Sequence, residues 1–170
     1  MLRTRCDQSL KALGQILHAR CAGVLACALV VGACAFNSVQ PGMSEQDVLA
    51  RMGQPSRELP LPTGLRLQYS RQPAGQQVFN VDLDSSNHVV QVRQMLVESE
   101  FARIAAGQWT RDDVLRAFGP PASVDHVASW PGDIWTYRWH AVEDMFFWVY
   151  LDQSNVVQRT GQGVEYHTDM

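Results

Sequence analysis

After position 34 this 170-residue chain contains no cysteine, and after position 11 no lysine. The cysteines are Cys6, Cys21, Cys27 and Cys34, so the rest of the chain can hold neither a disulfide framework nor a cysteine-ligated metal. His18, His88, His126, His140 and His167 form no metal-spaced pair on a predicted helix. His88 falls in a turn, and His140 ends a strand beside Glu143 and Asp144, where a hairpin loop explains all three. A basic patch is missing as well. Without residues 1–33, Lys plus Arg falls from 14 to 10 and Asp plus Glu from 17 to 16, a net charge of −6 with arginine as the sole cation. That balance speaks against a nucleic-acid partner. Arg57, Arg66, Arg71 and Arg138 read as solvated or paired surface groups. No serine has a nucleophile-elbow context. Asp125 and His126 are adjacent on a predicted strand, so their side chains point to opposite faces and form no dyad. Gly161-Gln162-Gly163 reads as part of a loose tail, and Asp112-Asp113 as part of a helix cap. The expectation is a protein that is no enzyme, with no cofactor, no metal and no small-molecule substrate.

What the chain does have is one segment written twice. Gly42-Met43-Ser44-Glu45-Gln46-Asp47-Val48-Leu49 leads to Gly53-Gln54-Pro55, and Gly107-Gln108-Trp109-Thr110-Arg111-Asp112-Asp113-Val114-Leu115 leads to Gly119-Pro120-Pro121. Ser44 and Thr110 are N-cap residues whose hydroxyls can accept from a free N–H of the first turn. Asp47 and Asp113, three residues on, suit both a capping box and the positive end of the helix dipole. Val48, Leu49 and Met52 share a helical face, as do Val114, Leu115 and Phe118. Gly53 and Gly119 end the helices, and Pro55 and Pro121 prevent resumption. Downstream, residues 78–87 match residues 146–155 as alternating strands running into Asp/Ser/Asn turns. Val89-Val90-Gln91 and Val156-Val157-Gln158 start the return strands, and Leu67-Gln68-Tyr69 matches Trp135-Thr136-Tyr137. Residues 56–64, with Pro60, Pro62 and Gly64, read as a loop or irregular edge. Residues 98–106 read as a short helix. The predicted fold class is α+β: two tandem repeats, each a helical segment packed on an antiparallel β-meander. Repeat 1 covers residues 39–97, repeat 2 residues 98–161, and a C-terminal tail residues 162–170.

These residues resemble the BamE (SmpA/OmlA-like) outer-membrane lipoprotein family, whose signature is a Gly-Met-Ser/Thr helix start, a Val-x-x-x-x-Gly-x-Pro exit and a following three-stranded sheet. The likeness covers about residues 39–97 and 100–161. The second copy departs by one extra residue between Gly107 and Thr110, with Trp109 before the cap. The tandem form is also similar to the doubled helix-plus-sheet layout of β-lactamase inhibitor proteins. The resemblance implies a non-catalytic periplasmic protein–protein interaction module, an accessory of outer-membrane protein assembly or envelope integrity. Its partner would be an envelope protein such as a β-barrel assembly component. The alternative is an inhibitor or sensor that caps an envelope enzyme through an open sheet face.

The N-terminus carries Arg3, Arg5, Lys11 and Arg20, then an apolar run from Cys21 to Ala33 without a charge. This is the layout of a secretory signal, and the run is shorter than the roughly 20 residues of a transmembrane helix. Val31-Gly32-Ala33-Cys34 resembles a lipoprotein signal-peptidase box. Residues 1–33 would be the signal peptide, Cys34 the lipidated first residue, and residues 34–38 a tether. The rival readings are an uncleaved anchor or lipidation at Cys27, the latter leaving an apolar region of only about six residues, short for a signal. Ala35 after the cysteine resembles an outer-membrane address. The expectation is a lipid anchor on the periplasmic face of the outer membrane.

The two copies differ on one sheet face. Alternation puts Phe79, Val81 and Leu83 on the helix-packed side and Val78, Asn80 and Asp82 opposite. In the second copy Phe147, Val149 and Leu151 take the helix side, leaving Phe146, Trp148 and Tyr150 opposite, with Thr136 and Arg138 beside Trp148. Trp109 and Trp130 lie in loops near the helix and strand starts. Two readings stand open. The stripe fills a second core, between repeats or under the C-terminal tail. Or Phe146, Trp148, Tyr150, Arg138, Trp109 and Trp130 form a partner-binding surface.

Overall fold

The computed structural model describes residues 38–166. The signal segment, Cys34 and residues 35–37 and 167–170 lie outside the described residues. Two four-stranded antiparallel sheets dominate. The first has the order β1-β2-β3-β4, with β1 Arg57–Leu61, β2 Gly64–Ser70, β3 Val78–Asp84 and β4 Val89–Gln94. The second has the order β5-β6-β7-β8, with β5 Ser123–Asp125, β6 Ile134–His140, β7 Asp144–Leu151 and β8 Val157–Val164. The helices are short: α1 Glu45–Met52, α2 Glu98–Phe101 and α3 Arg111–Phe118.

The expected α+β chain of two helix-on-meander repeats is therefore corrected: the protein is mostly β. Two residue patterns hid strand. Segment 56–64 contains β1, because Pro60, which cannot donate to a ladder, is tolerated on an edge strand. The glycines of 161–163 belong to the edge strand β8 rather than to a tail. The short helix expected in 98–106 is present as α2.

Each of the two eight-residue helices, α1 and α3, is set by its caps. Ser44 Oγ accepts from Asp47 N at 3.2 Å, and Thr110 Oγ1 from Asp113 N at 3.3 Å. In α3 the box closes, with Thr110 N donating to Asp113 Oδ2 at 2.8 Å. Gly53 and Gly119 end the helices at φ 76° and 73°, a conformation that glycine adopts without strain. The helix starts are pinned to their own sheets in matching fashion. Gly42 N donates to Val89 O and Val89 N to Met43 O; Gly107 N donates to Val157 O and Val157 N to Trp109 O. Trp109 is thus the counterpart of Met43, and Gln108 is the extra residue.

The first core joins Val48 of α1 to Leu67, Tyr69, Val81, Leu83 and Val89. The second joins Phe101, Val114 and Phe118 to Trp135, Tyr137, Trp139, Phe147, Val149 and Leu151. Phe101 stacks on Phe147 at 3.8 Å, and Trp139 meets Phe101 edge-on at 5.4 Å. Val78, on the outward side of β3, also belongs to this second core. Tyr69 and Tyr137 play the same part in each copy, donating their hydroxyls to Gly53 O at 3.1 Å and Gly119 O at 2.7 Å.

Candidate functional site

A helix leaves its last four carbonyls without internal partners. In α3 the outward face of the first sheet supplies side-chain donors to three of these, Leu115, Arg116 and Ala117. Arg57 Nη1 donates to Leu115 O at 2.8 Å, Gln68 Nε2 to Arg116 O at 3.2 Å, and Asn80 Nδ2 to Ala117 O at 2.9 Å. Gln68 Nε2 also donates to Asn80 Oδ1 at 3.0 Å, which locks the two amides together. Arg66 is held in a fork by Asp82 at 2.6 and 2.8 Å and reaches Arg116 O at 3.4 Å. Cationic and amide donors suit the negative end of a helix dipole. Gln68, Asn80 and Asp82 are buried in consequence. The first sheet is covered on both faces, which explains why its outward side is polar.

The matching positions on the second sheet carry aromatics, and among the described residues no helix covers them. Register pairs Thr136 with Trp148, Arg138 with Phe146, Trp148 with Gly161 and Phe146 with Gly163. Phe146, Trp148 and Tyr150 are half-buried, part of each being exposed. The glycines explain how Trp148 lies down. A Cβ at Gly163 would come 2.8 Å from Trp148 Cη2, and one at Gly161 would come 3.5 Å from Cε3. The indole therefore rests flat on the backbone of β8, taking the room that side chains would occupy. Phe146 lies 6.2 Å from Trp148.

Tyr150 is framed by two neighbours. The Arg159 guanidinium sits 3.7 Å over its ring, and Trp130 meets it edge-on at 5.3 Å. Trp130 is fixed by a hydrogen bond from Nε1 to Leu151 O at 2.7 Å, and Arg159 also lies 5.3 Å from its ring. The chain that results, Phe146, Trp148, Tyr150, Arg159 and Trp130, is an ordered apolar strip with one cation. Such anchors bind without losing much rotamer freedom.

Four of the six expected site residues come together here: Phe146, Trp148, Tyr150 and Trp130. Arg138 shares the face but is already engaged. Its guanidinium grips Glu165 at 2.8 and 2.9 Å and donates to Pro73 O at 3.0 Å, tying the β2–β3 loop to the second sheet. Trp109 is elsewhere, packed against the second core with Phe118 at 6.2 Å, on the helix side of the sheet. Sequence reasoning missed Arg159 as the cation of the strip. The signal was its place two residues before Gly161, which puts it on the same strand face as the two glycines.

Beside the strip lies an open depression of about 460 Å³. Arg111, His126, Trp130 and Asp133 line it, with the Asp152 to Asn155 turn as its far wall. Asp133 sits 3.6 Å from Arg111 and 3.3 Å from His126, and Arg111 Nη1 donates to Asn155 Oδ1 at 3.3 Å. Asp125, next to His126 in sequence, instead accepts from Thr136 Oγ1 at 3.3 Å. Among the described residues no cluster of His, Cys, Asp and Glu could hold a metal, and no helix is long and apolar enough to cross a membrane.

No family model matches the chain, and no curated protein matches it. Among solved structures, it is similar to a DUF4309 family protein, YjgB, from Bacillus subtilis. The identity is 13%, the match covers 79% of this chain and 93% of that one, and the TM-score is 0.31.

Proposed function

We propose that this protein is a non-catalytic lipoprotein of the periplasmic face of the outer membrane, anchored through Cys34. On this reading it is a protein–protein interaction module, resembling the BamE (SmpA/OmlA-like) family, and serves as an accessory of outer-membrane protein assembly. The observation that carries the reading is the pair of unequal sheet faces. Equivalent positions are buried under α3 in the first copy, whereas in the second they carry a part-exposed strip of Phe146, Trp148 and Tyr150. An ordered aromatic strip with polar surroundings is the composition of an interface centre.

Two experiments test the two halves of the reading. Metabolic labelling with a fatty acid tracks the anchor: label on the wild type and none on Cys34→Ala is expected, and label retained by Cys34→Ala would move the site to another cysteine. Mild crosslinking of the full-length tagged protein in its own membrane, followed by capture, tracks the partner. Barrel-assembly components recovered with wild type and lost with Trp148→Ala are expected. An envelope hydrolase recovered in their place, and inhibited by the added protein, would establish the capping reading instead.

A further inference from the structure

The free edges of the two sheets are unequal. An open edge presents unpaired N–H and C=O groups to any other strand, and proteins blunt such edges by proline, shortness or cover. The β1 edge contains Pro60, and β5 is three residues long. β4 is six residues long, is tied at its start by Val89 to Gly42 and Met43, and runs straight into Met95 and α2. β8 spans eight residues, has neither proline nor lysine, and is tied in the same way only at its start, by Val157 to Gly107 and Trp109, so that the edge from Thr160 to Val164 has no such cover among the described residues. Glu165 N donates inward to Asp144 O at 2.8 Å. By the alternation of an antiparallel ladder, the backbone groups of Arg159, Gly161 and Gly163 face β7, and those of Thr160, Gln162 and Val164 face away. Thr160 and Gln162 are exposed.

We propose that the outer edge of β8 pairs with the β8 of a second copy of this chain, antiparallel, with Gln162 facing Gln162 across a two-fold axis. The register is picked out by charge and shape. Outward-facing residues must oppose each other, which allows a two-fold axis at Thr160, Gly161, Gln162 or Gly163. Only the axis at Gln162 sets Arg159 opposite a carboxylate, Glu165 of the second copy, and it does so twice. Arg159 is exposed and, among the described residues, has ring partners but no carboxylate. Glu165 already holds Arg138, yet an ionised carboxylate has about four acceptor sites and can take both guanidinium groups. In the same register Gly161 opposes Gly163, so no side chain intrudes between the two Trp148 rings, and Thr160 opposes Val164. Residues opposed in a sheet share a face. The two aromatic strips would then form one surface on an eight-stranded sheet. The interface is isologous and closes as a dimer rather than extending into a fibre. The proposal stands on the backbone and charges of β8, not on the partner-binding role of the aromatic strip.

The test uses disulfide trapping in the full-length protein in its membrane. Opposed hydrogen-bonded residues have Cα atoms about 5.5 Å apart, within the range that a disulfide spans. Gln162→Cys is expected to give a disulfide-linked homodimer on oxidation. Wild type, with its own cysteines, and Asp112→Cys, exposed on α3, are expected to give none. Adding Thr160→Pro removes an outward N–H without touching the β7 ladder, and the dimer band is expected to fall more than tenfold while the circular dichroism spectrum is kept. The proposal is overturned by the absence of a Gln162→Cys dimer, by equal trapping through Asp112→Cys, or by a dimer that survives Thr160→Pro. A mixed disulfide between Gln162→Cys and a different protein would also overturn it, by showing that the edge receives a foreign strand.

Discussion

Two sheets with matching strand order and matching turns treat their outward faces in opposite ways. On the first, Gln68 and Asn80 donate to the last carbonyls of α3, and the face is sealed. On the second, Thr136 and Trp148 take the corresponding positions, and among the described residues no helix follows to be capped. The difference teaches that a sheet's outward face takes its chemistry from what packs on it. The first copy needs donors because another helix ends against it. The second copy, with no described helix ending against it, carries a different chemistry.

The largest effect is expected where the two copies are most alike. Gly64 opens β2 and Gly132 lies two residues before β6, and a Cβ at either would collide with the backbone carbonyl of Leu83 or Leu151. Gly132→Ala should therefore cost more than about 3 kcal/mol, at the severe end for a single substitution. It should leave little folded protein by circular dichroism. Accumulation at wild-type levels with an unchanged melt would show that the close approach is dispensable.

Next come the paired tyrosines. Tyr137 is fully buried and Tyr69 nearly so. Removing a buried hydrogen bond costs about 1–3 kcal/mol when an acceptor is left unmet. Tyr137→Phe should fall at the upper end and Tyr69→Phe at the lower, measured by urea unfolding. Equal midpoints would break the distinction between the two cores.

The tyrosines also carry a pH signature. Burial, with smaller contributions from Glu45 and Glu58, pushes Tyr69 up to about 12, and burial pushes Tyr137 well above the usual phenol range. A pKa raised on folding means that the folded state holds the proton more tightly. The associated stability is complete below about 10, the ordinary phenol value. It is lost as pH rises through the folded pKa. Alkaline unfolding above that value should therefore be delayed in Tyr137→Phe relative to its own neutral-pH stability. An alkaline midpoint unmoved by either Phe variant would contradict the assignment.

The smallest effect is at the helix caps. Thr110, through its side chain and then its backbone N–H, holds the Asp113 carboxyl below its usual range. A lowered carboxyl pKa contributes stability above the unfolded value and loses it as pH falls through the folded one. Asp113→Asn should lose part of the slope of stability against pH below about 4, the ordinary aspartate range. It should change the neutral-pH midpoint little, since the group is mostly exposed. An identical acid slope in wild type and variant would remove the cap from the account.

The capped helix starts, their glycine ends and the two faces of β3 and β7 were legible in the residues, because each depends on neighbours close in sequence or on simple alternation. The fold class was not. Reading residues 56–64 as a loop gave Pro60 and Pro62 the weight of breakers, whereas an edge strand accepts Pro60. Gly161 and Gly163 gave no strand signal of their own, because what fills the space above them is the indole of Trp148 on the next strand. The cover on the first sheet was hidden for a related reason. It depends on the end of α3 meeting β2 and β3, an arrangement encoded only in two amides and an arginine–aspartate pair that on their own read as surface residues. Trp109 shows the reverse error, a loop tryptophan whose ring packs inward on Phe118.

One comparison tests the central claim most directly: the unfolding midpoints of Asn80→Ala and Trp148→Ala in the same buffer. Asn80→Ala removes a few atoms but leaves the Ala117 carbonyl only the long 3.5 Å contact from Gln68 Nε2 and frees Gln68 from its amide partner, at a cost of about 1–3 kcal/mol. Trp148→Ala removes a whole indole, for which a true core position would cost about 3–5 kcal/mol. If the first face is structural and the second is a surface, the small substitution lowers the midpoint more than the large one. A Trp148→Ala midpoint far below that of Asn80→Ala would contradict the account and make the aromatic strip a third core.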